Sequence, residues 1–531
     1  MISKLILFSN FLVFVVSDGY ICQGGTLVNP PLDLTEPFYF PENWNEGLPP
    51  ATFNASQYCN WRINMLEGMY ATVTFYKDAD GADSSATQIF VDYPNGDNVY
   101  LQDNDDAPYI FTKQQFQISL IAHEKQGKFS FKVVWSEYPA EMCKINIPLD
   151  QYQLIPQAST NCAVTFTAPN KVWLIAFNGL FNQASSFLRH SAVFEGGSVN
   201  GNFLGTLDKA NGLNIWSNGK SLTVYTFGMQ MQDNRYVFLG MDANAAGGNV
   251  QRFDGLDCTD TPPESCYVYA YSYDVGNKAV ITASRNIDYL YYVRRLAENA
   301  TLSVYEGQID KDHLLTTISG TNYNQKLPLA VKNTVKIYKV DTMLTQVSLT
   351  NDSERAGYGK IAVLTGTGMQ TVVHSFDYRQ LSLEQDTFET FTADILVNFK
   401  FNVVSFDVNG NTTLDIEIYQ NGLTVLSETF TKDYKPRSSG YTAFGDKISV
   451  KYQTYGRATK GFEVDFACTS KDATTPQPTT PKTTAIPKTT VIQSTVSTPV
   501  ITTEKIITTT KGSSQNYALI CFLAEVLYLL N

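Results

Sequence analysis

The chain has 531 residues, a formal net charge of −12 and a sequence pI of about 4.9. A nucleic-acid duplex carries one negative charge per roughly 1.7 Å of its axis, so an acidic chain without a basic face is a poor partner for nucleic acid. The length exceeds that of one ordinary domain, and we expect three or four hydrophobic cores.

The N-terminus has the pattern of a secretory signal peptide. Lys4 precedes the apolar stretch 5–16, and the small residues Ser17 and Gly19 follow it. A basic start, a short apolar centre and a small-residue exit are typical of a signal that is removed on export. We therefore predict a signal peptide at 1–19 and an extracellular mature protein. A buried N-terminal strand is the alternative.

The body of the chain has the pattern of strands and turns. Residues 69–76 and 129–133 alternate at period two, and Tyr, Phe, Val, Ile and Thr dominate them. Clusters of Asn, Gly, Asp and Pro, such as 93–97 and 408–411, separate the segments. We find no convincing amphipathic helix longer than about three turns. The predicted fold class is all-β.

One strand pattern recurs four times along the chain. The marker residues of the four copies are Phe90, Phe194, Tyr305 and Tyr419. A second strand follows in each copy, at 116–120, 221–225, 334–338 and 447–451. The markers lie 104, 111 and 114 residues apart, which is the size of a sandwich domain. Each copy also opens and closes on a strand, and for the third copy we place these at 279–283 and 360–364.

The first copy carries the motif of a known family. Residues 58–63 read Tyr-Cys-Asn-Trp-Arg-Ile, Cys22 lies upstream, and the copy ends on 116–120 and 127–133. The first segment resembles the Cys-x-Trp-x-Ile strand of CUB domains, which are extracellular β-sandwiches, and the ending is similar to their final strands. The nearest resemblance is to the CUB-like subfamily expanded in nematodes.

This resemblance covers residues 20–140 and implies an extracellular binding domain. Members of the subfamily are secreted or surface-anchored, and many are associated with the gut and with innate defence against microbes. The cysteines of a second CUB disulfide are absent, and 121–124 read Ile-Ala-His-Glu where calcium-binding CUB domains carry an acidic residue. The acidic residues between Asp78 and Asp106 are an alternative calcium site, but we assign no metal.

The predicted architecture is a tandem array of antiparallel β-sandwich domains on a disordered stalk. Its segments are the signal peptide at 1–19, a CUB-like domain at 20–142, a second CUB-like sandwich at 143–257, a third sandwich at 258–380, a fourth at 381–470, an O-glycosylated Thr-rich stalk at 471–511 and an anchor signal at 512–531. Only the first domain depends on the resemblance, and the others depend on the recurring strand pattern.

The cysteines are candidates for disulfides because an exported chain meets an oxidising compartment. Adjacency along the chain pairs Cys22 with Cys59, Cys143 with Cys162, and Cys258 with Cys266. Connectivity cannot be deduced from sequence alone. Cys468 is left over, either as a free thiol or as a sign that one pairing is wrong.

Export also makes glycosylation plausible. The candidate N-glycosylation sites are Asn54, Asn299, Asn351 and Asn411. Each is the start of an Asn-x-Ser/Thr triplet, which must lie on a surface loop to accept a glycan. Such triplets also arise by chance.

The sequence contains no strong catalytic motif. It has no H-E-x-x-H, C-x-x-C, P-loop or G-x-S-x-G pattern, and its four histidines are isolated. The segment 196–198 resembles a nucleophile elbow but lacks the final glycine, so we expect a turn. We predict no catalytic residue, no metal and no cofactor. Paired carboxylates for glycoside cleavage leave no fixed spacing, so a pocket that joins carboxylates of shifted pKa would favour a hydrolase.

Tyrosine-rich strands are candidates for ligand contacts. Residues 267–273 and 289–292 place tyrosines on alternating faces of a strand. Half of each set must point into the core of a sandwich. An outward row would offer a flat amphipathic surface to a sugar or a protein.

The sequence changes abruptly at Ser470. Residues 471–511 contain fifteen threonines and five prolines. They have too little apolar surface to offset the entropy of ordering, so we expect a disordered tract. Thr/Pro enrichment in an exported chain is typical of an O-glycosylated stalk.

The apolar run 518–530 near the C-terminus is thirteen residues long, and one of these residues is Glu525. A helix needs about twenty residues to span a hydrocarbon core, so a membrane span is disfavoured. The small residues 512–514 followed by an apolar tail are typical of a glycolipid (GPI) anchor signal. We expect attachment at Gly512 or Ser513. A secreted protein without an anchor is the alternative.

Three functional hypotheses follow. The first is a surface glycoprotein whose CUB-like domains bind a protein or glycan ligand without catalysis, held on the membrane by a lipid anchor and linked to innate defence. The second is a structural coat protein whose glycan mass is its function. The third is a secreted glycoside hydrolase. No nucleic-acid partner is expected for any of them.

Overall fold

The structure is a computed structural model that describes most of the chain before residue 471. The described residues are 19–22, 24–77, 87–92, 98–100, 108–112, 115–123, 126–138, 143–149, 152–155, 162–179, 188–210, 215–227, 237–244, 250–258, 266–271, 277–284, 286–294, 296–341, 344–361, 368–379, 381–383, 385–407 and 409–470. The predicted stalk and anchor signal, with Gly512 and Ser513, lie outside this part, as do residues 1–18 of the signal peptide.

The first repeat of the fold extends from Gly25 to Glu137. Its described strands are β1 (Gly25–Val28), β2 (Phe38–Phe40), β3 (Thr52–Phe53), β4 (Gln57–Asn64), β5 (Met69–Lys77), β6 (Thr87–Asp92), β7 (Asn98–Tyr100), β8 (Tyr109–Phe111), β9 (Gln115–Ala122) and β10 (Gly127–Glu137). They form two sheets of order β1-β4-β9-β6-β7 and β2-β10-β5-β8, with β3 paired to β10. Because side chains alternate along a strand, β4 buries Cys59, Trp61 and Ile63.

The second repeat follows the same plan. Its described strands are β11 (Cys143–Pro148), β12 (Tyr152–Ile155), β13 (Cys162–Thr167), β14 (Val172–Gly179), β15 (Ser191–Glu195), β16 (Phe203–Thr206), β17 (Ile215–Trp216), β18 (Ser221–Thr226) and β19 (Phe238–Asp242). A 3-10 helix at Leu207–Ala210 follows β16. One sheet has the order β11-β13-β18-β15-β16, and β12, β19 and β14 begin a larger sheet that continues into the third repeat.

The third repeat completes that larger sheet and adds a second one. Its described strands are β20 (Val250–Asp257), β21 (Cys266–Tyr271), β22 (Asn277–Ala283), β23 (Asp288–Arg294), β24 (Thr301–Glu306), β25 (Leu314–Ser319), β26 (Leu329–Val331), β27 (Val335–Val340) and β28 (Leu344–Thr350). The larger sheet has the order β12-β19-β14-β20-β22-β27-β24-β25, and the other is β21-β28-β23-β26. One-turn helices lie at Tyr323–Lys326 and Ser353–Ala356.

The fourth repeat is built from longer strands. Its described strands are β29 (Lys360–Ile361), β30 (Met369–His374), β31 (Thr387–Phe406), β32 (Thr413–Gln420), β33 (Leu423–Phe430), β34 (Tyr441–Gln453) and β35 (Phe462–Ser470). The first part of β31 pairs with the end of β34, and its second part pairs with both β35 and the start of β34. The strands that are separate in the other repeats are continuous here, so the predicted fourth sandwich is a single connected sheet, β30-β35-β31-β34-β32-β33.

The same pairing scheme recurs in all four repeats. One strand opens each repeat by parallel pairing, as β1 on β4, β11 on β13, β20 on β22 and β29 on β31. Each marker strand is the antiparallel neighbour of its later partner, as β6 with β9, β15 with β18, β24 with β27 and β32 with β34. The chain is all-β, as predicted, with mixed rather than purely antiparallel sheets.

In the third copy, the strands that we predicted to open and close the repeat have other positions in the pairing scheme. Residues 279–283 lie in β22, which pairs with β27, whereas β23 pairs with β28 as β5 does with β10. Lys360 lies in β29, the opening strand of the fourth repeat. A strand of two residues, as β29 is, gives no alternation signal. The third and fourth pairing sets begin at Val250 and Lys360, before the predicted boundaries at 258 and 381, and the domain boundaries themselves stay a prediction.

Strands in the middle of the array are buried on both faces. In β14, Val172, Leu174 and Ala176 pack in the core of the second repeat. The alternate residues Trp173, Ile175 and Phe177 pack in another cluster with Phe253, Ala279 and Ile281 of the third repeat. The first and second repeats likewise share one apolar cluster. Apolar packing therefore links the successive repeats.

Disulfides lie in or beside the opening strands. The described pairs are Cys22–Cys59, Cys143–Cys162 and Cys258–Cys266. Cys143 and Cys162 are also cross-strand partners of the parallel pair β11 and β13. Cys468 is a free thiol within β35, where burial raises its pKa.

We expect Gly255→Ala to destabilise the junction of the second and third repeats. A Cβ at Gly255 would lie 2.1 Å from the carbonyl oxygen of Ala176, where β20 pairs with β14. Overpacking of this kind costs about 1–3 kcal/mol of the free energy of unfolding, which urea denaturation would measure. Gly25→Ala, in the equivalent strand β1, meets no described atom within 4 Å and is the control. Equal effects of both changes would contradict the close approach.

Candidate functional site

A groove lies between the first and second repeats. We call it the repeat groove, and its volume is about 1140 Å³. Arg62, Gln115 and Gln117 of the first repeat line it together with the turn Val199–Asn202 of the second repeat. This volume is larger than that of a typical small-molecule pocket, so the groove has room for an extended ligand.

The wall from the first repeat is the outward face of β4 and β9. Arg62 lies opposite Gln117 in the antiparallel register of these strands. It alternates with Trp61 and Ile63, which are buried in the core. Packing of the inward residues therefore fixes the row of polar side chains that faces the groove.

The wall from the second repeat is the turn between β15 and β16. Gly196 has φ 87°, a conformation that favours glycine. A Cβ at Gly201 would lie 1.8 Å from the carbonyl oxygen of Glu195, so this position also requires glycine. The segment that resembles a nucleophile elbow is thus a turn, as expected, and it presents the exposed side chains of Asn200 and Asn202.

An aromatic cluster beneath the groove holds the two repeats together. The ring centroids of Tyr70 and Phe227 are 4.4 Å apart, and Tyr138 lies 5.8 Å from Phe227 and 5.9 Å from Tyr225. Burial raises the pKa of Tyr138 well above its ordinary value and that of Tyr225 to about 12. Both phenols stay neutral, and the packed rings fix the distance between the two walls.

The chemistry of the groove is that of a hydrogen-bonding surface. Amide side chains both donate and accept hydrogen bonds, and four of them, at positions 115, 117, 200 and 202, line the groove. Arg62 and Glu67 add one charge of each sign. This combination suits a polar ligand without a large net charge.

A second cavity, the junction cleft, lies between the third and fourth repeats and has a volume of about 380 Å³. Glu463 and Asp465 of β35 line it, with Lys326 of the third repeat. Burial raises the pKa of Glu463, and partial desolvation raises the pKa of Asp465, which remains exposed to solvent. Burial also lowers the pKa of Lys326, against the opposing effect of the Asp465 charge. Sequence reasoning named shifted carboxylates of this kind as the sign that would favour a hydrolase.

A buried polar network joins the same two repeats. The Lys332 ammonium forms an ion pair with Glu389 and donates to the carbonyl oxygen of His374. Glu306 accepts from the Lys332 backbone N–H at 2.6 Å, and its Oε1 lies 3.5 Å from Nε2 of His374. The adjacent void has a volume of about 10 Å³, the size of one water molecule. A substrate does not fit there, so this network is part of the junction.

The predicted glycosylation sites differ in their surroundings. Asn299, Asn351 and Asn411 are exposed, in turns or bends. Asn54 is half-buried and its Oδ1 accepts a hydrogen bond from Gln126 at 3.2 Å. Their use as glycan acceptors stays a prediction.

The tyrosine segments do not form an outward row in the described residues. Tyr292 is 48% exposed, but Tyr289 and Tyr291 are half-buried, and the Tyr289 ring packs 4.9 Å from that of Tyr358. The side chains of 267–273 and the acidic residues between Asp78 and Asp106 lie outside the described part.

Among the described residues, no group of three or more His, Cys, Asp or Glu side chains is placed to hold a metal. None of the described helices is long and apolar enough to cross a membrane. Sequence reasoning did not single out the residues of the repeat groove. The available signals were the outward position of Arg62 beside Trp61 and the Gly/Asn-rich turn, but no sequence feature brings the two together.

The family comparison identifies the first repeat. Residues 17–139 match the model of the CUB-like domain. This part of the chain is a CUB-like domain, as the motif of residues 58–63 predicts, and CUB-like domains are extracellular, non-catalytic binding modules. No curated protein is a significant match to the chain.

Three solved structures, two of them of CUB domains, are similar to parts of the chain. The CUB1-EGF-CUB2 domains of rat MASP-1 are 8% identical, with 41% of this chain and 100% of that chain covered and a TM-score of 0.17. The human MASP-1/3 CUB1-EGF-CUB2 domain is 12% identical, with 39% and 97% covered and a TM-score of 0.16. The extracellular region of zebrafish Gpr126/Adgrg6 is 11% identical, with 63% and 53% covered and a TM-score of 0.18. TM-scores this low carry no conclusion for this chain.

We expect His190, at the base of the second repeat, to make stability depend on pH. Burial lowers its pKa below the ordinary 6.5, and its Nδ1 lies 3.1 Å from the carbonyl oxygen of Phe227. As the pH falls through 6.5, the unfolded chain takes up a proton that folded His190 resists, so the free energy of unfolding falls. Urea denaturation at pH 7 and at pH 5 should show that the free energy of unfolding falls less for His190→Gln than for the parent chain. His123→Gln, at an exposed histidine, is the control, and an equal fall in both variants would contradict this assignment.

Proposed function

We propose that the protein is an extracellular cell-surface glycoprotein that recognises a ligand without catalysis. The observation that carries this proposal is the repeat groove, which lies on the CUB-like domain and is lined by amide side chains from two repeats. Its walls are held at a fixed distance by a shared core. A preformed site of this kind loses little conformational entropy when a ligand binds.

The ligand class that fits best is a polar chain with little net charge. The amides of the groove offer donors and acceptors together, which match the hydroxyl groups of a glycan or the backbone of an extended peptide. The partners are therefore a protein or a glycan at the cell surface. A role in innate defence is supported by the family resemblance alone and is part of the proposal.

The location proposed is the outer face of the plasma membrane. The Thr/Pro-rich tract 471–511 supports an O-glycosylated stalk, and the small residues at 512–514 support a glycolipid anchor. Asn299, Asn351 and Asn411 support N-glycosylation because they are exposed. Secretion without an anchor is the alternative.

The two rival functions have less support. A coat protein would not need a groove with ordered polar walls. A glycoside hydrolase needs an acid and a carboxylate that flank the scissile bond, and the candidates are Glu463 and Asp465. These alternate along one strand and lie side by side on the same face, an arrangement that favours binding from one side over cleavage.

Exposed residues on opposite walls of the groove provide the test of recognition. We expect Arg62→Ala and Asn200→Ala each to weaken ligand binding by about 5- to 10-fold, the effect of one lost hydrogen bond. A glycan and microbial-surface array probed with the ectodomain, residues 20–470, selects the ligand, and titration measures the change. Arg294→Ala, at an exposed arginine on β23, is the matched control. Array binding that survives both groove changes would exclude the groove as the site.

The anchor is tested separately on intact cells. We expect a phosphatidylinositol-specific phospholipase to release the protein, and mass spectrometry to find a C-terminus at Gly512 or Ser513. Replacing both residues by lysine should prevent attachment, because the anchor site requires small side chains. Recovery of a mature peptide that contains the leucines of 527–530 would contradict the proposal.

A further inference from the structure

The junction cleft has the features of a second binding site, separate from the repeat groove. Its floor contains the apolar side chains of Leu315, Leu329 and Val372. Its volume of about 380 Å³ lies at the lower end of the range for small-molecule sites, about 300–1,000 Å³. The cleft is therefore matched to a small ligand.

The polar groups of the cleft come from the outward face of the fourth repeat. In β35, Glu463 and Asp465 alternate with Val464 and Phe466, which pack in the core of the repeat. Asp465 is also the cross-strand partner of Asn402 in β31. Core packing thus fixes these carboxylates on the face that lines the cleft.

Lysine side chains balance the carboxylates. Lys400 lines the cleft from the fourth repeat, and Lys326 lines it from the third. The Lys326 ammonium is held in place because it donates to the carbonyl oxygen of Thr317 at 2.7 Å and to Oγ1 of Thr316 at 3.3 Å. An ammonium has three donors, so one remains for a ligand.

The charge balance decides the class of ligand. Glu463 also accepts from Arg379, whose Nη2 lies 3.5 Å from its Oε2. Two carboxylates therefore face two ammonium groups and one guanidinium, and this excess of one charge is too small to select a simple ion. The carboxylates accept hydrogen bonds, the lysines donate them, and the amides of Gln370 and Asn402 do both. A sugar ring offers hydroxyl groups that donate and accept at its rim and an apolar C–H face for the floor.

We propose that the junction cleft binds a single neutral sugar residue, with its hydroxyl groups on Asp465, Glu463 and the lysines and its C–H face on the apolar floor. Hydrogen bonds to charged groups are stronger than neutral ones, and they supply the specificity of the site. Because the cleft uses residues of both repeats, it exists only when the third and fourth repeats are packed together.

Saturation-transfer NMR on the complete secreted chain tests this site. The probes are the methyl glycosides of glucose, galactose and mannose, with glycine as a zwitterionic probe of similar polarity. We expect saturation transfer to at least one glycoside and none to glycine. Asp465→Asn and Lys400→Met should each raise the dissociation constant by about tenfold, as expected for a lost hydrogen bond to a charged group.

Matched controls separate this site from the repeat groove. Asp433→Asn and Lys432→Met change exposed residues outside the cleft and should leave binding unchanged. The groove variants Arg62→Ala and Asn200→Ala should also retain it. The proposal is overturned if no glycoside shows transfer, if only glycine does, or if Asp465→Asn and Lys400→Met both bind like the parent chain. Loss of binding in the groove variants instead would assign the sugar to the groove.

Discussion

The burial of central strands on both faces is the constraint on which the array depends. In β14 one set of alternate residues packs in the core of its own repeat and the other set packs against the third repeat. The same holds for β27, where Tyr338 and Val340 lie in one cluster and Val335 and Ile337 in the other. Strands of this kind cannot face water without exposing a whole apolar row, so neighbouring repeats must stay packed.

This constraint explains why both candidate binding sites lie at junctions. A single repeat offers an outward polar face, such as that of β4 and β9, but no opposite wall. Packing of the next repeat supplies that wall, as the turn Val199–Asn202 does for the repeat groove. Because the aromatic cluster around Phe227 fixes the separation, the site is formed before a ligand arrives.

Sequence patterns predicted much of the fold and little of the site. Period-two alternation located the marker strands, and the recurring interval located their partners, because each marker pairs with a strand shortly after it in the chain. The opening strand Lys360–Ile361 was not predicted because two residues are too few to show alternation. The groove was not predicted because Arg62 and Asn200 come together only through tertiary packing. A continuous apolar run such as 172–177 indicates that a strand is buried on both faces, but it does not identify the repeat that covers the second face.

The junction of the third and fourth repeats differs in chemistry from the two before it. At the first junction a buried arginine, Arg189, lies 4.1 Å from the ring centre of Tyr109. Here Lys332 and Glu306 are buried, and Lys332 forms an ion pair with the half-buried Glu389. A buried ion pair gains little stability over apolar packing, since desolvation offsets the attraction. The ion pair nevertheless requires a defined geometry, because a shift of one repeat relative to the other would leave a charge unpaired in the interior. The polar network therefore favours one alignment of the two repeats, and that alignment brings Lys326 opposite Asp465 across the junction cleft.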